Sequence, residues 1–243
     1  MIAGKITGRK DILLNDVLEA KKEPSQSGFI IEGAKFVADC SPEHIKQVFV
    51  TDAEKYSVIV SKFEKVYEVS SSVASKISSA KSGQEVIALA VKNNPPCPEK
   101  LVILDRVQDS GNVGTIIRTA SAFGFGVIVS ADSANPYSVK TARSSAGAIL
   151  SCYVQKSDLP QIIPDLKRRG VYIYSSEIDQ SATLLKNISR NKTSFAVIIG
   201  NEGCGVSKTI SSFADEKIYI PIEKENSLNA SIAAAIIMYE TNS

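Results

Sequence analysis

The chain has 243 residues, 44% hydrophobic and 22% charged, with a formal net charge of +2. That is an ordinary globular composition with enough length to bury a real core, for one large domain or two modest ones. Residues 1–97 carry 13 Lys+Arg against 12 Asp+Glu and residues 98–243 carry 15 against 14, so each half is +1 and nucleic-acid binding would have to rest on local patches.

No apolar run approaches the roughly 20 residues of a membrane helix. The N-terminus, MIAGKITGRKDILLNDVLEA, lacks the apolar core and small-residue cleavage site of a signal peptide. A cytoplasmic protein with no membrane association is expected. Cys40, Cys97, Cys152 and Cys204 are scattered, with no metal-like spacing, so neither a disulfide framework nor a metal site is indicated. His44, the single histidine, is expected at the surface, in the first turn of a helix or at a strand entry.

In chain order, a helix is expected around 11–22, a strand in FIIEG and a helix in AKFVADC (28–40), and a buried strand in IKQVFVTD (45–52). SVIVSKFEKVYEVS (57–70) reads as helix then strand, SSVASKISS (71–79) as a Ser-capped helix, and EVIALAVK (85–92) as a strand. This alternation suggests a small three-layer α/β module. NNPPCPEK (93–100) reads as an extended linker, which divides the chain into domains 1–95 and 96–243. Beyond it, LVILD (101–105), GVIVS (126–130), VYIYSS (171–176), FAVIIG (195–200) and KIYIPI (217–222) are continuous β-branched runs, as in a parallel sheet covered on both faces. Helices are expected in TIIRTASAFG, in the Ser/Ala/Gly-rich 138–150, in LPQIIPDLKRRG and in SLNASIAAAIIMYE. The class is α/β with a parallel sheet.

LVILDRVQDSGNVGTIIRTASAFG (101–124) reads as strand, tight Gly-bearing loop and helix, yet it lacks the G-x-G-x-x-G register of a dinucleotide fold. GNEGCG (200–205) lacks it too and carries an acidic residue where a pyrophosphate would sit; no P-loop is present. What remains is a polar or glycine cluster after each of three strands: DSGNVG with Arg118, then NEGCG, then EKENSLNAS. Ligands of parallel sheets bind at the carboxyl ends of strands. Asn112, Arg118, Glu202, Ser227 and Asn229 are therefore candidates to converge on one crevice. Four of them also have a plain structural explanation, with Asn112 in a turn, Arg118 at the surface, and Ser227 or Asn229 as a helix cap.

In order and spacing, DSGNVGTIIRTASAFG, VIIGNEGCGVS and IYIPIEKENSLNASIAAAIIMYE resemble the three motifs of the SpoU (TrmH-like) branch of the SPOUT RNA methyltransferases, over essentially all of 100–243. FIIEGAKFVADC with IKQVFVTD resembles the small L30e-like N-terminal substrate-binding domain of ribosomal members. The resemblance implies methylation of a ribose 2′-hydroxyl in RNA from S-adenosylmethionine, a C-terminal α/β domain with a trefoil knot, and a homodimer with its active site near the subunit interface. It assigns catalysis to Asn112 and Arg118, with Glu202, Ser227 and Asn229 completing the catalytic set. It places Gly200, Glu202, Ile220, Leu228, Asn229 and Ser175 on the cofactor. A guanidinium stays protonated, so Arg118 is read as an electrostatic clamp on the developing alkoxide and the adjacent phosphate. Two departures stand out. Relatives often place a glycine shortly after the IPM-like strand and one more residue before SLN, whereas the loop here is EKEN, with Lys224 where flexibility is usual; the arginine that often precedes F-x-x-E-G is also missing.

RNA contacts are expected from Lys140 with Arg143 and from Arg9-Lys10, with Lys21-Lys22 and Lys167-Arg168-Arg169 as further candidates. The extra N-terminal module favours 23S ribosomal RNA as the target. Transfer RNA, a catalytically silent RNA-binding protein of the same fold, and a Rossmann-type nucleotide enzyme are the alternatives.

Overall fold

The computed structural model describes residues 2–80, 83–179, 181–189, 191–223 and 227–242. The first elements are β1 (Ile2–Ile6), α1 (Asn15–Lys22), β2 (Phe29–Glu32), α2 (Ala34–Asp39), β3 (Ile45–Val50), α3 (Ser57–Lys62), β4 (Val66–Val69), α4 (Ser71–Ile77) and β5 (Val86–Ala90). Then come β6 (Lys100–Leu104), α5 (Ser110–Phe123), β7 (Gly126–Ser130), α6 (Val139–Ser144), α7 (Ala148–Ser151), β8 (Val154–Ser157), α8 (Leu159–Arg168) and β9 (Tyr172–Glu177). The chain finishes with β10 (Thr183–Leu184), β11 (Phe195–Ile199), α9 (Lys208–Ser211), β12 (Glu216–Tyr219) and α10 (Ala230–Thr241).

Two compact units form: Met1–Asn93 with Tyr137–Leu150, and Asn94–Pro136 with Ser151–Ser243. The first cut lies two residues from the linker position expected at 95/96. The difference is the segment 137–150, expected in the second domain, which packs with the first. Tyr137 sets its ring 5.5 Å from that of Phe29. Arg143 donates to Glu32, whose side chain is fully buried, at 3.2 Å.

The first unit is a five-stranded sheet in the order β1-β4-β3-β5-β2. β1, β4 and β3 run parallel, and β5 is antiparallel to both β3 and β2. Side chains alternate across a strand, so Ile87 and Leu89 of β5 join Ile30, Phe49 and the inner residues of α1 and α4 in one cluster. Ser70 caps α4 by accepting from the Val73 N–H, as its sequence suggests. β1 escapes a periodicity reading because IAGKI is an edge strand with only Ile6 fully buried. His44 closes a turn at the entry of β3, the expected position, but its side chain is only 16% exposed, with Nδ1 buried and unpartnered among the described residues.

The second unit is a seven-stranded parallel sheet in the order β10-β12-β9-β11-β6-β7-β8. Its central strands β6, β7 and β11 are buried along nearly their whole length, as continuous apolar runs require. Leu159, Ile163 and Leu166 of α8 and Ile210 of α9 seal one face. α5 and α10 pack together, with contacts from α5 to β7 and from α10 to β11. At the edge, the Asn94 amide donates to the Val154 carbonyl at 2.9 Å and accepts from its N–H at 3.1 Å, pairing with β8 as a neighbouring strand would.

One expectation is overturned in detail: DSGNVG is not a loop. α5 begins at Ser110, so Gly111, Asn112 and Gly114 lie in its first turns. The side chain of Asp109 accepts from the Asn112 N–H at 2.9 Å, a cap that outweighs the low helix propensity of the glycines.

Removing the Arg143 guanidinium would strand the Glu32 carboxylate, whose other partner among the described residues is the Ser79 N–H at 2.5 Å. Arg143 is 59% exposed, so the loss falls between that of a surface pair and that of a buried one. Arg143→Ala is expected to cost about 1–2 kcal/mol, read as a lower denaturant midpoint with unchanged slope.

Candidate active site

Motif residues meet at the carboxyl ends of the central strands of the second unit. β6 runs into Asp105, which is 3% exposed and accepts the Ser207 N–H at 2.7 Å. After β11 the chain turns sharply: Asn201 and Gly205 bridge, and Asn201 Oδ1 accepts the N–H groups of Gly203 and Cys204 at 2.9 and 3.1 Å. Gly200 is required here by close approach. A Cβ on it would lie 2.1 Å from both the Gly205 carbonyl carbon and the Val206 nitrogen.

That turn presents Glu202 to the start of α5. One carboxylate oxygen accepts the Asn112 Nδ2 at 3.0 Å and the Asp109 N–H at 3.3 Å, and the other accepts the Gln108 N–H at 3.3 Å. Partial burial pushes the Glu202 pKa up, but the Asn112 amide and the backbone donors more than offset this, so it lies below the usual carboxylate value. An ionised carboxylate only accepts, so Asn112 must turn its NH₂ toward it and its Oδ1 away. Asn112 Oδ1 then accepts the Asn229 Nδ2 at 3.0 Å. Asn229 Oδ1 in turn caps α10, accepting the Ser231 N–H at 2.9 Å, the Ser231 hydroxyl at 2.6 Å and the Ile232 N–H at 3.3 Å. A directed chain of hydrogen bonds thus joins all three motifs.

Beside it opens a cavity of about 510 Å³. Gly200, Glu202, Ile220, Ser227 and Leu228 line it. Asn229 stands one residue from the lining Leu228 and Ala230 and contributes through its bond to Asn112. Ser175 is displaced from its expected place. It is fully buried within β9 and donates to Glu177, and the strand end, Ser176 and Glu177, forms the wall instead. The EKEN departure falls on Lys224, Glu225 and Asn226, which lie outside the described residues.

Arg118 is not on the cavity wall. It is exposed on α5, a turn and a half beyond Asn112, while Ile116 and Ile117 face inward. Of the expected RNA-binding cations, Lys140 and Arg143 group with the first unit, where Arg143 is held by Glu32. Arg9 is exposed, with its Nε on the Ser72 carbonyl, and Lys10 is exposed beside it. Lys21 caps the end of α4 through the Lys76 and Ser78 carbonyls, Lys167 pairs with Asp215, and Arg168 pairs with Asp165. Asp109, Asn201 and Glu177 went unread in the sequence. D-S-G-N is a legible capping pattern, whereas the Asn201 turn carries no signal beyond its glycines.

The sequence model of the SpoU rRNA Methylase family matches residues 99–239. The chain belongs to the SpoU family. It is 32% identical over 229 residues to the 23S rRNA (guanosine(2553)-2′-O)-methyltransferase RlmP of Bacillus subtilis, covering 91% of this chain and 92% of that one. An AdoMet-bound rRNA methyltransferase from Sinorhizobium meliloti superposes with a TM-score of 0.80 at 25% identity, over 99% of this chain and 97% of that one. The SpoU methyltransferase AviRb of Streptomyces viridochromogenes, 21% identical with a TM-score of 0.80, has the same fold over 96% of this chain and 97% of its own.

A SpoU chain with Gly200→Ala should lose about 3 kcal/mol or more, because backbone and not a flexible side chain fills the Cβ position. A drop in melting temperature or insoluble expression would register this. The lowered pKa of Glu202 has a second consequence. A depressed carboxylate contributes stability that is complete above the unfolded-state pKa and lost as pH falls through the folded one. Asn112→Ala, which removes the largest of the lowering contacts, should therefore differ most from the parent near neutral pH. The gap between the two denaturation curves should narrow in acid, leaving the pH-independent share of the Asn229 bond.

Proposed function

We propose that this protein methylates a ribose 2′-hydroxyl in RNA, with a guanosine of 23S rRNA as its target and S-adenosylmethionine as its methyl donor. The observation that carries this reading is the chain Asn229–Asn112–Glu202 beside the strand-end cavity. It joins residues of all three SpoU motifs beside one cavity. The 23S target is supported by the identity to RlmP along nearly the whole chain.

The cavity suits the donor chemically. Its described lining combines apolar Ile199, Ile220 and Leu228 with the carboxylates Glu177, Glu202 and Glu223, and contains no Lys, Arg or His. A nucleoside with a cationic sulfur matches that mixture. Gly200, Ile220 and Leu228 would hold it. When bound it would supply the methyl group: the 2′-oxygen would gain the methyl, the C–S electron pair would return to sulfur, and the hydroxyl proton would leave to solvent.

The protein's own contribution is orientation and charge. Glu202 locks the Asn112 amide, and Asn112 locks Asn229, so both amides meet the substrate preorganised. Arg118 supplies a permanent positive charge for the developing alkoxide and the neighbouring phosphate. Its exposure within one chain is explained if a second copy completes the site. Ile232, Ile236 and Tyr239 lie on one face of α10 at 51%, 38% and 65% exposure, a stripe that a homodimer would cover. In this reading the close crossing at Gly200 belongs to a trefoil knot, Arg9 and Lys10 contact RNA from the first unit, and the enzyme works in the cytoplasm.

Labelled methyl transfer to undermodified total RNA, fractionated by size, tests the function. Label in large ribosomal RNA is expected. Label in transfer RNA would change the target, and no label would sink the enzyme. Arg118→Ala should lower turnover by about a hundredfold or more while leaving donor binding intact. If Arg118 acts across the dimer, mixing inactive Arg118→Ala with inactive Asn112→Ala should restore about a quarter of activity, since half the dimers are mixed and each has one intact site. No recovery would confine Arg118 to its own subunit's site.

A further inference from the structure

We propose that Glu177 is a specificity residue of the cavity, one that selects the charged methyl donor over its neutral product; this rests on the function proposed above. Glu177 closes β9 and lines the cavity. Two hydroxyls hold one of its oxygens: Ser175 Oγ donates to Oε1 at 2.8 Å and Ser211 Oγ donates to it at 2.6 Å. Ser175 is fully buried and Ser211 is 7% exposed. The other oxygen, Oε2, has no partner among the described residues.

A carboxylate in this position is not needed to satisfy the two serines, because a neutral acceptor would do so. Nor does any described residue neutralise it. No described cation pairs with it, and Lys217 on the adjacent strand lies opposite Ser175 and is exposed. Among the other carboxylates of the cavity, Glu202 is committed to Asn112 and the backbone of Gln108 and Asp109. Glu177 therefore offers the cavity a carboxylate with one oxygen unpaired among the described residues, beside partly apolar walls that weaken screening.

Donor and product differ by a methyl group and one positive charge, since loss of the methyl turns a sulfonium into a neutral thioether. A fixed charge nearby must favour the first. Binding energy is thereby concentrated on the reactive form, and spent product dissociates more readily.

The test is calorimetric titration of the full-length protein with S-adenosylmethionine, S-adenosylhomocysteine and adenosine. Glu177→Gln keeps the shape and removes the charge. It is expected to weaken the methionine form about three- to tenfold, and to leave the other two within about twofold. Equal weakening of donor and product would overturn the inference in favour of recognition of the ribose hydroxyls. No change in any ligand would overturn it as well. If the wild type binds none of the three, the proposed function fails and the inference with it. Should Glu177→Gln fold poorly, the wild type alone suffices. The gap between donor and product should narrow as salt rises, and a gap indifferent to salt would refute a charge-based preference.

Discussion

The candidate site depends on one asymmetry: an ionised carboxylate accepts hydrogen bonds and donates none. Glu202 is kept ionised by the amide and backbone groups around it. Because it can only accept, the orientation of Asn112 follows, then that of Asn229, then the capping of α10. Three segments far apart in sequence are ordered by one charge. The arrangement has a single direction, whereas amides and hydroxyls alone would leave several orientations equivalent.

The fold serves that charge by bringing three strand ends together. β11 lies between β6 and β9, so the turns that follow β6 and β11 are neighbours. The sharp turn at Gly200 holds Glu202 over the start of α5, and Asp105 secures the far side of the same turn through Ser207. Close backbone crossing and a buried carboxylate thus do for motif 2 what helix capping does for motifs 1 and 3.

Much of this was legible in the sequence. The continuous apolar runs gave away the parallel sheet, and the three polar clusters marked the strand ends. What escaped had physical reasons. Glycines at 111 and 114 argued for a loop, because the Asp109 cap acts through a hydrogen bond that propensity does not count. Ser175 looked like a cavity residue because a strand ending in SSE does not reveal which side chain emerges. Arg143 looked free because the buried acid it meets, Glu32, lies 111 residues away. The surface position of Arg118 was one of two readings open in the sequence, since the apolar inner face of its helix leaves it outward, while motif order argued for the crevice.

The segment 137–150 carries a meaning for how the protein comes into being. It is translated after β7, yet it packs with the first unit through Tyr137 and Arg143. A nascent chain usually folds its leading domain while the next is still being made. Here the leading sheet is complete at Ala90, but its unit gains α6 and α7 only when about fifty further residues have emerged beyond the proline-rich linker. The two units are consecutive on paper and interleaved in assembly, so a gene truncated at the linker would encode neither of them whole.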